Sequence, residues 1–248
     1  MKSKPPPFLI IETGQPVPSM RRHGGFPHWI RVAAGLSRHD IRTVNVEHGQ
    51  SLPGADTDAI AGVIVTGSGA MVTERRDWSE RTAAWLRDAA HHGTPLFGIC
   101  YGHQLIAHAL DGDVGVNPNG REMGTVQVEL SPDAPADPLF TGLPPRFNAQ
   151  ATHLQSVLRL PEEATVLARN PHDPHHAFRW RSHVWGVQFH PEFSAMHMRG
   201  YVRARAEALA GEGTCARTTA GDVAAAPHAR AVLRRFVRHA RRRAAAMQ

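Results

Sequence analysis

Short apolar runs alternate with segments of helical period through the first half of the chain. PFLIIE (7–12), IRTVNVE (41–47), AGVIVTG (61–67) and PLFGIC (95–100) are rich in Ile, Val and Leu and too short for helices, which predicts strands. Between them, FPHWIRVAAGLSRH (26–39), DWSERTAAWLRDAAHHG (77–93) and GHQLIAHALDG (102–112) space their apolar residues as helices with one buried stripe do. This order predicts an α/β fold, an open, mostly parallel sheet flanked by helices. Asp77 reads as a helix N-cap, Glu80 completes a capping box, and Gly93 before Pro95 stops the helix. In the second half GTVQVEL, ATVLARN and HAFRW read as shorter, antiparallel strands, with VWGVQFH returning to the sheet. Residues 1–7 and about 210–227 read as flexible connections.

Val232, Leu233, Phe236, Val237 and Ala240 recur at helical spacing and predict an amphipathic helix over about 228–245. Its setting is strongly basic: residues 199–248 hold 11 Arg against three acids, whereas the rest, with 17 Lys+Arg against 19 acids, is nearly neutral. With an apolar stripe present, the arginines read as the wet face of a packed helix, and nucleic acid is not the expected partner. At 248 residues and 42% hydrophobic content, one domain is expected over 1–248, with a core over about 8–205. No apolar run approaches the roughly 18 residues of a membrane span and no leader peptide is evident, so a cytoplasmic protein is expected. Two cysteines, Cys100 and Cys215, do not make a disulfide framework. No G-x-x-x-x-G-K-[ST] or S-G-G-x-D-S loop is found, so ATP-dependent synthesis by this chain alone is not expected.

The chemistry concentrates at three strand ends. GICYG, at the end of PLFGIC, has the form of a strand–turn–helix elbow with Cys100 at the apex and Gly98 and Gly102 permitting close backbone approach. A helix starting near Tyr101 would aim its free N–H groups and positive end at Cys100 and favour the thiolate. VWGVQFHPEF supplies a base at the end of its strand: Pro191 stops the strand after His190, and Glu192 can turn back to orient the imidazole. VIVTGSGAM ends in the small-residue loop Gly67, Ser68 and Gly69, which can direct a backbone N–H at the oxygen of a tetrahedral intermediate.

GICYGHQ and VQFHPE together resemble the class I (triad-type) glutamine amidotransferases, and within them stand-alone domains similar to the amidotransferase half of GMP synthase. TGSGA, NGREMGTVQVEL and QATHLQSV, the last similar to the family's S-H-x-D-x-V region, extend the resemblance over roughly residues 8–205. It implies a flavodoxin-like three-layer fold, a Cys100, His190 and Glu192 triad, and an oxyanion hole from the N–H groups of Ser68 and Tyr101. It also implies a glutamine pocket bordered by Gly67 and Gly69 and lined by Gln104, Thr152 and His153, no cofactor, and a separate synthase as partner. Two positions depart from the family: Gly69 replaces a proline, which predicts a looser loop, and Gln155 replaces an acidic residue.

The implied activity is glutamine hydrolysis through a γ-glutamyl thioester. A γ-glutamyl peptidase using the same triad, or a non-catalytic regulatory relative, are the alternatives, and the intact triad disfavours the last. HDPHHAF (172–178) brings His172, His175 and His176 together, but without a nearby Cys it reads as a surface turn and no metal is expected. Cys215 reads as an incidental thiol, and Trp78 and Trp85 as core.

Overall fold

The computed structural model describes residues 5–54 and 60–246. Residues 1–4, part of the connection expected over 1–7, lie outside the described residues. The chain runs β1 (Phe8–Glu12), α1 (Phe26–Ala34), β2 (Ile41–Asn45), β3 (Gly62–Val65), α2 (Asp77–His91), β4 (Leu96–Ile99) and α3 (Tyr101–Ala109). There follow β5 (Asp113–Val116), β6 (Glu122–Leu130), β7 (Arg146–His153), β8 (Gln155–Arg159), β9 (Ala164–Arg169), β10 (Ala177–Trp180) and β11 (Val184–Val187). Four helices complete it: α4 (Ala195–Ala204), α5 (Ala206–Gly211), α6 (Ala216–Gly221) and α7 (Pro227–Ala246).

One nine-stranded mixed sheet has the order β2-β1-β3-β4-β11-β10-β9-β6-β7, and β5 pairs with β8 separately. Pairing is parallel from β2 to β11 and antiparallel from β11 to β7. The strands expected to be antiparallel therefore extend the main sheet, with β11 at the junction. Alternation along β1 sends Phe8 and Ile10 to one face, where Ile30 of α1 and Phe236 of α7 cover them, and Leu9 and Ile11 to the other, under Leu86 of α2 and Leu105 of α3. The result is three layers, with all five apolar positions expected on α7 buried.

Two local expectations are corrected. Asp77 is the first helical residue of α2 and Arg76 is its N-cap, with no side-chain capping bond. Asp77, already inside the helix, serves only its positive end, while Glu80 pairs with Arg75 (3.1 Å) and His108 (3.2 Å). The stretch 210–227 contains α6 and a buried Val223, held by the Arg199 guanidinium donating to the carbonyls of Ala220 and Val223.

Candidate active site

Cys100 joins β4 to α3 at φ 52°, ψ −103°, a backbone state that costs a non-glycine residue about 1–3 kcal/mol. Its surroundings enforce it. The Cys100 N–H donates to Val187 O (2.9 Å), and its carbonyl accepts the first bond of α3 from Gln104 (3.1 Å). A Cβ on Gly98 would overlap the Gly102 backbone, and one on Gly102 would stand 2.5 Å from Val65 O. On the opposite strand a Cβ at Gly186 would strike the ring of His103. β3 and β4 thus meet α3 backbone to backbone, with the His103 ring packed against Gly186 of β11, and the turn projects Cys100 from the apex, 6% exposed.

His190 follows the end of β11 and is tied to β7 by its N–H, which donates to Gln150 O (2.8 Å). Its Nδ1 donates to Glu192 Oε1 (2.7 Å), and its ring stacks on Phe193 at 4.2 Å, with Phe26 beyond at 6.4 Å. Gly67 closes another side: a Cβ there would lie 3.0 Å from His190 Cε1 and 3.8 Å from Cys100 Cβ. Burial opposes charging His190, but Glu192 and Cys100 outweigh it and push its pKa up to about 10. Burial likewise opposes the Cys100 thiolate, yet the charges of His190 and then His153 win and the thiol is held below its ordinary value. Nε2 of His190 has no hydrogen-bond partner among the described residues, so it is free to exchange a proton with whatever occupies the site.

The loop after β3 is pinned at both ends. Thr13 binds it three times: its N–H donates to Thr66 Oγ1, and its hydroxyl to the carbonyls of Thr66 and Gly67. Further on, Ser68 Oγ accepts from Ala70 N (3.0 Å), and Gln155 accepts from Val72 N (3.1 Å) while donating to Thr73 Oγ1. An amide at 155 therefore supplies a donor that the family's carboxylate would lack. Between these anchors Ser68 is half-buried and Gly69 exposed, with open space where a Cβ at Gly69 would stand. Tyr101 opens α3, where its N–H has no helical acceptor, and its hydroxyl is buried against Ser79 (2.6 Å).

The Thr152 carbonyl stands 3.8 Å from Cys100 Sγ. Gln104 is buried and donates to Gln155 O and Gln188 Oε1. His153 is buried as well, with Nδ1 on Gln155 O (3.0 Å) and Nε2 on Glu122 Oε2 (2.9 Å). The surface-turn reading of HDPHHAF is corrected here: Asp173 and His176 are fully buried, and His176 Nε2 meets the same Glu122 oxygen at 2.8 Å. Glu122, His153 and His176 have the residue types of a metal site, but these are hydrogen-bond lengths, and the other carboxylate oxygen accepts from Asn170 (2.6 Å). Sequence reasoning missed Glu122, although it lies in phase with Val126, Val128 and Leu130 on β6 and is thereby aimed inward. It also missed Thr13 and Phe193. Cys215 is exposed and outside this constellation.

The family model "Glutamine amidotransferase class-I" matches residues 25–204. A glutamine-hydrolysing GMP synthase of Aeropyrum pernix is 40% identical over 166 residues, which are 64% of this chain and 30% of that protein. A γ-glutamyl-L-1-hydroxyisopropylamide hydrolase of a Pseudomonas species is 31% identical over 162 residues, 63% of this chain and 55% of that protein. The chain thus spans only part of the length of each. Among solved structures, a glutamine amidotransferase of Thermotoga maritima superposes with a TM-score of 0.74 at 19% identity, covering 95% of this chain and 98% of the other.

Proposed function

The chain belongs to the class I glutamine amidotransferase family, and on that premise we propose that it hydrolyses the side-chain amide of L-glutamine through a γ-glutamyl thioester on Cys100, releasing ammonia to a separate synthase. One observation carries the reading: Cys100 is held at positive φ at the N-terminus of α3, beside a His190 already aligned by Glu192 at 2.7 Å. The Cys100 thiolate attacks the amide carbon, and its oxygen becomes an oxyanion received by the N–H groups of Ser68 and Tyr101. Collapse breaks the C–N bond, with His190 Nε2 delivering the proton that lets ammonia leave. Neutral His190 then takes a proton from water, whose oxygen attacks the thioester; glutamate departs and the thiolate returns. Gly67 and Gly69 border the bound amide, Thr152 flanks the sulfur, and Gln104 and His153 back the pocket.

A separate synthase is proposed because the chain corresponds to 30% of the GMP synthase relative's length. A second reading, a γ-glutamyl amide hydrolase needing no partner, is favoured by the Pseudomonas relative and by the open space at Gly69, which has room for a leaving group larger than ammonia. Two measurements test these readings. An electrophilic glutamine analogue should label Cys100 and spare Cys215 in peptide mass mapping; labelling confined to Cys215 refutes the mechanism. Comparing kcat/KM for glutamine and γ-glutamyl dipeptides on the isolated protein separates the two activities: dipeptide cleavage about tenfold or more better than glutamine hydrolysis selects the hydrolase.

A further inference from the structure

The proposed mechanism leaves a second histidine–carboxylate pair unused. Glu122 and His153 are direct cross-strand partners on β6 and β7, and His153 directly follows Thr152, whose carbonyl lies 3.8 Å from Cys100 Sγ. The protonation of the cluster follows from its partners. Nδ1 of His153 faces the Gln155 carbonyl (3.0 Å) and Nε2 faces the Glu122 carboxylate (2.9 Å). Ser156 Oγ, 3.4 Å from Nδ1, spends its proton on Asp173 Oδ2 (2.7 Å) and so is also an acceptor toward the ring. Both ring nitrogens therefore meet acceptors only, which requires a proton on each. His176 differs: its Nε2 faces the same Glu122 oxygen at 2.8 Å, and its Nδ1 has no hydrogen-bond partner among the described residues.

The charged and titratable groups around His153 are Glu122 from β6, Asp173, His172 and His176 from the segment before β10, and Cys100 from the elbow. Despite burial, Glu122 and the other anions hold His153 above its ordinary value, and the two histidines hold Glu122 well below its own. We infer that His153 is a fixed, buried imidazolium that positions charge behind Cys100, so that the thiolate is held by two cations of which only one gives up its proton. His190 must become neutral to release ammonia; His153, bound on both nitrogens, keeps its charge through the cycle. The site is thus never without a cation while an anion forms on the sulfur or the substrate oxygen.

This inference rests on Cys100 being the nucleophile, so its test needs no glutamine. The rate of Cys100 alkylation by iodoacetamide is followed against pH in the full chain and in His153→Gln. The unaltered protein should show a midpoint well below that of a free thiol, and His153→Gln should raise it by about one unit, leaving about tenfold less thiolate at pH values below both midpoints. An unchanged midpoint in a folded variant overturns the inference, whereas a Cys100 that resists alkylation in the unaltered protein overturns the proposed function itself. The unaltered protein also decides without any variant: with ¹⁵N-labelled histidine, both nitrogens of His153 should carry protons at pH 8, and a neutral tautomer there would refute the charge.

Discussion

Gly67 brings the strand-end loop against the ring of His190. In Gly67→Ala the new methyl would press on His190 Cε1 at 3.0 Å, and the ring, clamped by Phe193 and Glu192, can yield only by turning from Cys100. Since a misplacement of about 1 Å costs on the order of 10²-fold, kcat/KM should fall by about tenfold to 10²-fold with little change in melting temperature; a larger thermal than kinetic loss would mean that the contact is merely structural. The Cys100–His190 pair also sets a pH profile. The thiolate is lost as pH falls through the lowered Cys100 value, and the proton needed for leaving ammonia is lost as pH rises through the His190 value of about 10. We expect the alkaline decline of kcat/KM to come only near pH 10, and an alkaline decline near the ordinary histidine value of about 6.5 would contradict the ion pair. Cys100, His190 and Glu192 were legible because strand-end motifs place them directly. His176 was not, because a His-rich, Pro-flanked segment looks like surface until a buried acid from another strand is known to meet it.

At the scale of elements, the elbow depends on how closely α3 lies on β3 and β4. Gly102→Ala puts a Cβ 2.5 Å from Val65 O, backbone that has nowhere to move, whereas Gly69→Ala meets nothing within 4 Å. Gly102→Ala should therefore destabilise by about 1–3 kcal/mol in denaturant unfolding, and Gly69→Ala by almost nothing; equal effects would disprove the packing argument. The parallel half of the sheet was readable from its Ile- and Val-rich runs. β7 was not, because Phe147 alone among its inward positions is a large apolar residue, and Ala149, Ala151 and His153 are too small or too polar to stand out as an apolar alternation. Residues 210–227 hid their order for a related reason: α6 fully buries none of its own residues, packing inward only through Ala216 and Ala220, and it is tied by Arg199, whose donation to distant carbonyls leaves no local pattern.

Across the whole molecule, the basic helix turns out to spend part of its charge inward. Arg234 donates to Ala33 O, Arg235 to Leu139 O and Arg243 to Gly93 O, and Arg241 pairs with Asp40 at 2.9 Å. These arginines lash α7 to α1, α2 and the loop after β6, so the wet-face reading of the sequence holds for only part of the helix. Among the described residues no helix is long and apolar enough to cross a membrane. β11 is the last strand in the sequence yet lies in the middle of the sheet, between β4 and β10, and receives the Cys100 N–H. As the chain leaves the ribosome, the segment bearing the thiol emerges nearly ninety residues before the one bearing its base, and the central slot stays open until the late strand inserts. A partly made chain thus has the cysteine without the His190 that would protonate its leaving group, and the amide cleavage proposed for this site must wait until synthesis has passed the point at which the sheet can close.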